Sequence, residues 1–267
     1  MDKDVIVAAL GDEWDAIARL LESLSELEWE RDTPLPGWRV RDVVAHLIGT
    51  ELLLDGQDVP ETSTDVHALP HVRNEIGARN EKFVEHFRAQ RIDEVLARFR
   101  EITAKRLAAL RAMSQEDFDA PSWTPAGEAT YTRFMRIRAF DNWMHEQDVR
   151  DAVGLPGTES GPAAALSVDE ISAALGYLVG KKSGAPDGSS VTFDLGGERT
   201  LHVAVNGRAS LVERLPGEPT VRIRLPLGVF TRLAGGRVDP AAVRSSVELD
   251  GDAELGERVV NNLAFTI

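Results

Sequence analysis

The chain has 267 residues with a hydrophobic content of 43%, enough for a packed core and for two modest domains. Its 44 acidic and 30 basic side chains leave a formal charge of -14, a surface that repels nucleic-acid phosphates and anionic lipids, so neither nucleic acid nor membrane is an expected partner. No cysteine is present, which excludes disulfides and thiolate zinc sites: a bound metal must use His, Asp, Glu or water, and any thiol must come from outside.

The N-terminus, MDKDVIVAALGDEWD, has acidic residues on both sides of a short apolar run, and no stretch reaches the roughly 18 apolar residues of a membrane span; a cytoplasmic protein is expected. From Val5 to Leu27 the apolar residues Leu10, Trp14, Ile17, Leu21 and Leu24 recur every three or four positions, one buried face of a helix. The turn-rich Asp32–Gly37 stretch ends it, and Trp38 to Leu54 reads as a second amphipathic helix. A loop over 55–70 follows, then helical patterns at Val72–Arg88 and Asp93–Met113. Two prolines and a glycine break the pattern over 114–128 before a helix from Thr130 to Val153, which stops at Gly154-Leu155-Pro156-Gly157. This N-terminal region, residues 1–156, is expected to be a helical bundle.

After a Gly/Pro/Ser linker at 154–162 the period changes. A helix near Val168–Lys181 precedes strand-like runs at Val191–Leu195, Thr200–Val205, Ala209–Glu213 and Thr220–Leu225, punctuated by turn residues at hairpin spacing. Short helices near Leu227–Ala234 and Ala253–Leu263 bracket an apolar segment at Val247–Leu249. Residues 163–267 are thus expected to form a smaller α+β domain with an antiparallel sheet.

The helix over 130–153 carries the chemistry. At about 100° per residue, Phe134, Arg138, Asp141, His145, Asp148 and Ala152 share one narrow stripe, flanked by Ile137, Met144, Met135 and Val149. Burying charges along an apolar face costs several kcal/mol each unless they are paired or bound to metal. One solution is an internal ladder, Arg138 with Asp141 and His145 with Asp148. The other is that Asp141 and His145, one helical turn apart, offer an oxygen and a nitrogen to one metal ion. A third ligand must then come from elsewhere, and His46, beside Val43 and Leu47 with small Gly49 and Thr50 nearby, qualifies; a plain core histidine is the competing reading. Asp42, one turn earlier, is the expected outer partner of its second ring nitrogen. His67 and His71 are four apart, but Pro70 between them and the loop composition around them disfavour a common helical face, His86 follows charged neighbours on a solvated face and His202 belongs to a strand pattern; no phosphate loop, dinucleotide fingerprint or nucleophile elbow occurs.

The segment PGWRVRDVVAHL at 36–47, followed by RIRAFDNWMHEQDVR at 136–150, resembles the mycothiol-dependent maleylpyruvate isomerase family, within the wider DinB-like helical bundles. The resemblance covers nearly the whole chain and implies a DinB-like four-helix bundle followed by a sterol-carrier-like α+β domain. It also implies a divalent metal, usually zinc, on His46, Asp141 and His145, with mycothiol as the thiol cofactor. The family's isomerase has Glu where this chain has Asp141, which shortens the reach by one methylene. Arg79 and Arg237 are the matches for the family's arginines near the site, expected to hold an anionic substrate group between the domains.

Three protein ligands leave a fourth position for an exogenous group, and a metal-bound thiol is deprotonated near neutral pH. The resemblance implies cis-trans isomerisation of a maleylpyruvate-like electrophile. Thiol S-transfer in detoxification or secondary metabolism would use the same thiolate; a non-catalytic, metal-clamped ligand-binding protein and a zinc-dependent regulator are readings of other classes. Trp38 and Trp143 are expected to be packing residues whose replacement leaves metal content intact.

Overall fold

The computed structural model describes residues 1–157, 159–197 and 199–266; Thr158, inside the expected linker, lies outside the described residues. The chain divides into two compact units, Met1–Ser167 and Val168–Ile267.

The first unit is a bundle. Helix α1 (Lys3–Glu22) packs on α5 (Ile92–Ala112) and α7 (Tyr131–Val153), and α3 (Val40–Leu54) packs on the same two, closing a ring of four. Helix α4 (Glu75–Arg88) lies against the outside of α3. The core joins Leu10, Trp29, Leu47, Ile48, Phe99 and Phe118, each fully buried. Burial of a side chain of this size stabilises by about 1.5–3 kcal/mol.

The first expected helix is split. The Ser23 hydroxyl donates to Leu20 O at the end of α1, and Ser25 opens a separate turn, α2 (Glu26–Trp29), through a capping box with Glu28. Serine hydroxyls compete for backbone groups, so apolar spacing alone ran the helix too far. The break over 114–128 is also structured. Ser114 caps α6 (Gln115–Asp119), and a hairpin pairs β1 (Pro121–Thr124) with β2 (Gly127–Thr130). Thr124 Oγ1 accepts from Ala126 N and donates to Gly127 O, while Gly127 takes a φ of 99° that other residues rarely adopt.

Helix α8 (Pro162–Tyr177) spans the dividing point and continues as a π turn at Leu178–Lys182. This corrects the reading that no stretch is apolar enough to cross a membrane. By length and composition Pro162–Lys182 qualifies, at a mean hydropathy of 1.3, but 61% of that window is buried within the protein, as in a core helix.

The second unit holds strands β3 (Ser190–Asp194), β4 (Thr200–Asn206), β5 (Arg208–Val212), β6 (Val221–Arg224) and β7 (Glu248–Gly251) in the order β5-β4-β3-β6-β7. The expected antiparallel sheet is mixed: β3 pairs antiparallel with β4 but parallel with β6, Val191 opposite Val221. Helices α9 (Leu227–Ala234) and α10 (Ala253–Asn261) complete the unit, with Phe230 of α9 5.7 Å from Phe193 of β3. The chain is therefore a helical bundle followed by a smaller α+β unit.

Candidate metal centre

Helix α7 is fixed at both ends. The Thr130 side chain accepts from Arg133 N at its start, and Gly154, at a φ of 70°, closes it. Its ionisable stripe faces α3, against which it packs. His46 of α3 meets Asp141 and His145 of α7 there. His46 Nε2 lies 3.3 Å from Asp141 Oδ2, His145 Nε2 lies 3.6 Å from Asp141 Oδ1, and the two imidazoles meet edge-on at 4.9 Å. One donor atom from each residue falls within 4.8 Å of the others, close enough for a single cation to serve all three. Both histidines are buried, while the Asp141 side chain keeps 29% of its exposure, so the cluster is open to solvent on that side.

The electrostatics suit a cation. Burial holds His46 below the usual imidazole range, against the pull of Asp141. Burial would also raise the Asp141 carboxyl, yet Arg138, His145 and His46 outweigh it and hold Asp141 well below the usual carboxylate range. Burial likewise lowers His145, but Asp141 and Asp148 overcome this and raise it, so a metal arriving there competes with a proton. A neutral imidazole, an ionised carboxylate and a second imidazole fixed in orientation fit a divalent ion with a nitrogen and oxygen donor preference.

The ladder considered as the alternative is present as well, and the two are compatible. Asp148 Oδ2 accepts from His145 Nδ1 at 2.9 Å, which turns His145 Nε2 toward Asp141. Arg138 Nη1 donates to Asp141 Oδ2 at 2.5 Å, but its Nε and Nη2 donate to Glu51 Oε1 at 3.0 and 2.8 Å, so its charge is shared. Glu51 is itself buried and accepts from Arg106 Nε. Sequence reasoning missed Glu51, although a carboxylate five residues after His46, next to the apolar run Leu52–Leu54, was a signal.

The expected role of Asp42 is not realised. Asp42 caps its own helix, accepting from Arg39 N at 2.9 Å, and takes two bonds from Arg88; His46 Nδ1 is buried with no hydrogen-bond partner among the described residues. What lies over the His46 ring is Trp38, 5.2 Å away and tilted by 37°, and Trp38 is also 6.3 Å from His145. Trp38 packs against the bundle core, as expected, and does so beside the clustered histidines, whereas Trp143 is 2% exposed in the core.

The two arginines are described each in its own unit. Arg79 sits on α4 with Nε buried and without an acceptor among the described residues. Arg237 follows α9, half-buried, and donates Nη1 to Gly235 O at 2.6 Å. Among the other histidines, His67 and His86 are exposed, His202 lies 2.9 Å from Thr192 Oγ1, and His71 contacts the buried Glu81.

A search of curated proteins finds no match. Among solved structures, the mycothiol-dependent maleylpyruvate isomerase superposes with a TM-score of 0.61, and a histidine-to-alanine variant of it with 0.60. Each is 16% identical, over 94% of this chain and 93% of the other, a likeness of fold. The model of the mycothiol maleylpyruvate isomerase N-terminal domain matches residues 10–150, which include α3, most of α7 and all three clustered residues, and that of the family's C-terminal domain matches residues 165–258. With both domain models matched in order along a chain of the same fold, the protein belongs to the mycothiol maleylpyruvate isomerase family.

Proposed function

We propose that the protein is a metal-dependent, mycothiol-using isomerase that converts a maleylpyruvate-like cis electrophile to its trans form, in the cytoplasm, where low-molecular-weight thiols stay reduced. The observation that carries the reading is the convergence of His46, Asp141 and His145 within 4.8 Å across two packed helices. These residues would hold the ion, with Asp148 fixing the His145 tautomer and Arg138, shared with Glu51, limiting the negative charge at Asp141. The ion, zinc by its donor set, would supply Lewis acidity that keeps a bound thiol ionised near neutral pH. A thiol ionised there would supply a nucleophile for reversible addition to the substrate's cis double bond: a C–S bond would form, the remaining C–C single bond could rotate, and breaking of the C–S bond would give the trans isomer with the thiolate regenerated.

The chain's part in that conversion is to hold the ends of the electrophile. Arg79 has a donor in reserve at Nε, and a guanidinium fork matches a carboxylate in two bonds. We assign Arg79 and Arg237 to anionic groups of the substrate or of the thiol conjugate. Arg79→Ala and Arg237→Ala should each raise the substrate concentration needed for turnover without releasing metal; wild-type kinetics in both would remove this role.

The deciding experiment combines metal analysis of the purified protein with thermal shifts against mycothiol, bacillithiol and glutathione. One equivalent of divalent metal, lost in His46→Ala and His145→Ala, and a shift with mycothiol alone are expected. A metal-free protein that responds to none of the thiols refutes the reading. Product analysis separates isomerisation, which returns free thiol, from S-transfer, which consumes it.

A further inference from the structure

Building on the metal site proposed above, the geometry points to Trp38 as the positioning residue of that site: its indole, tethered through Nε1 to the buried Glu81 carboxylate, sets the ring plane of His46 and with it the affinity for the ion. A ligating histidine is ordinarily oriented by a hydrogen bond at its second nitrogen. His145 has this from Asp148, but His46 Nδ1 is buried with no partner among the described residues, so its orientation is left to packing. Trp38 lies over it at 5.2 Å and reaches His145 at 6.3 Å, touching both candidate imidazole ligands.

Trp38 is held at both ends. Its Nε1 donates to Glu81 Oε2 at 2.8 Å; Glu81 is fully buried, with His71 Nε2 at 3.1 Å and Arg88 Nη1 at 3.4 Å. The backbone is clamped as well: Trp38 O accepts from Thr33 N at 3.0 Å and Thr33 Oγ1 at 2.8 Å, and Trp38 N donates to Leu35 O. Gly37 takes a φ of 81°, and a Cβ there would sit 2.6 Å from His71 Nδ1, so the His71 ring closes over the turn that presents the indole. An indole N–H in a core ordinarily finds some acceptor, as Trp14 finds Asn142 Oδ1; that of Trp38 meets a carboxylate fixed in turn by His71 and Arg88, which holds the indole in one orientation beside His46. The tether runs from α4 through Glu81 and Trp38 to His46 of α3, while Asp42 caps that helix and pairs with Arg88.

Cobalt(II) titration, by chelator competition and visible absorption, tests the inference on the full-length protein. Trp38→Phe keeps an aromatic ring but loses the tether, and should weaken Co2+ binding by roughly tenfold and shift its ligand-field bands. Glu81→Gln, whose amide oxygen still accepts from the indole, should retain most of the affinity. Glu81→Leu should behave like Trp38→Phe, and the double variant should be no weaker than either. Trp143→Phe, at a more deeply buried indole of the core, is expected to lower Tm while leaving the spectrum and affinity unchanged. If Trp38→Phe fails to fold, Glu81→Leu carries the same expectation on an intact indole. Wild-type affinity and spectrum in Trp38→Phe and Glu81→Leu overturn the positioning role, as does a double variant whose losses add. The metal reading is judged separately by His46→Ala: unchanged Co2+ binding there refutes the site itself, and with it the role of Trp38.

Discussion

At the residue scale, the chemistry resides in which nitrogen of each histidine is committed elsewhere. Asp148 binds His145 Nδ1 at 2.9 Å from one turn further along the same helix, so the tautomer is set inside α7. Asp148→Ala should lower divalent-metal affinity by about 10–100-fold with the helix intact, which isothermal titration would measure; an unchanged affinity would reduce the pair to a structural rung. His46, Asp141 and His145 were legible because a metal pair on a helix has a forced spacing and because two short motifs matched a family. The outer contacts were less so. Asp42 had the right spacing for His46, but a carboxylate in the first turn of a helix satisfies free backbone N–H groups, and that use won. Glu81 and Trp38 lie 43 positions apart and meet only through the packing of α4, which no periodicity encodes.

At the element scale, α3 can carry a ligand and still pack closely on α4 because Gly49 offers no side chain at their crossing. A Cβ there would lie 2.4 Å from Phe83 Cγ and 2.6 Å from Phe83 Cβ, contacts that only a shift of the ring or of α4 relieves. Gly49→Ala should destabilise the protein by about 1–3 kcal/mol, read as a lower denaturant midpoint at constant m. Adding Phe83→Leu should recover part of that loss; a stabilised Gly49→Ala would show that helix propensity outweighs the contact. The long helices were readable since each buries one face, with ends misplaced by a few residues where Ser23 and Asn74 act as local stop and cap, and well placed at the Thr130 cap. The strands were readable from alternation and turn residues. Their pairing was not, because residues 213–220 carry the chain from β5 past two strands to set β6 parallel to β3, a choice made by burial of Val221 and Ile223 rather than by local signals.

At the scale of the whole molecule, a net charge of -14 makes the disposition of buried acids a stability question. Glu51 faces Arg106 and Arg138, Asp42 faces Arg88, and Glu81 is reached by Arg88 and His71. Glu13 of α1 differs, because its buried neighbour is another acid, Glu146 of α7, which Arg150 already engages at 2.8 Å. Burial, and after it the charge and hydrogen bond of Glu146, push the Glu13 carboxyl from 4.5 up to about 9. The protonated acid is therefore the form the fold favours. Below pH 4.5 both folded and unfolded chains carry that proton and its contribution is fully present; between 4.5 and about 9 the unfolded chain ionises while the folded one does not, so stability drains away as pH rises. The slope from this one group is at most about 1.4 kcal/mol per pH unit. Glu13→Gln supplies a neutral side chain of the same shape and removes the linkage. Denaturant unfolding from pH 5 to 9 should show the variant gaining on the wild type as pH rises, with the gap widest at the alkaline end. The general repulsion of an acidic surface is common to both proteins and cancels in that difference. Parallel curves would mean that Glu13 is ionised in the folded protein at neutral pH, with Arg150 serving both carboxylates.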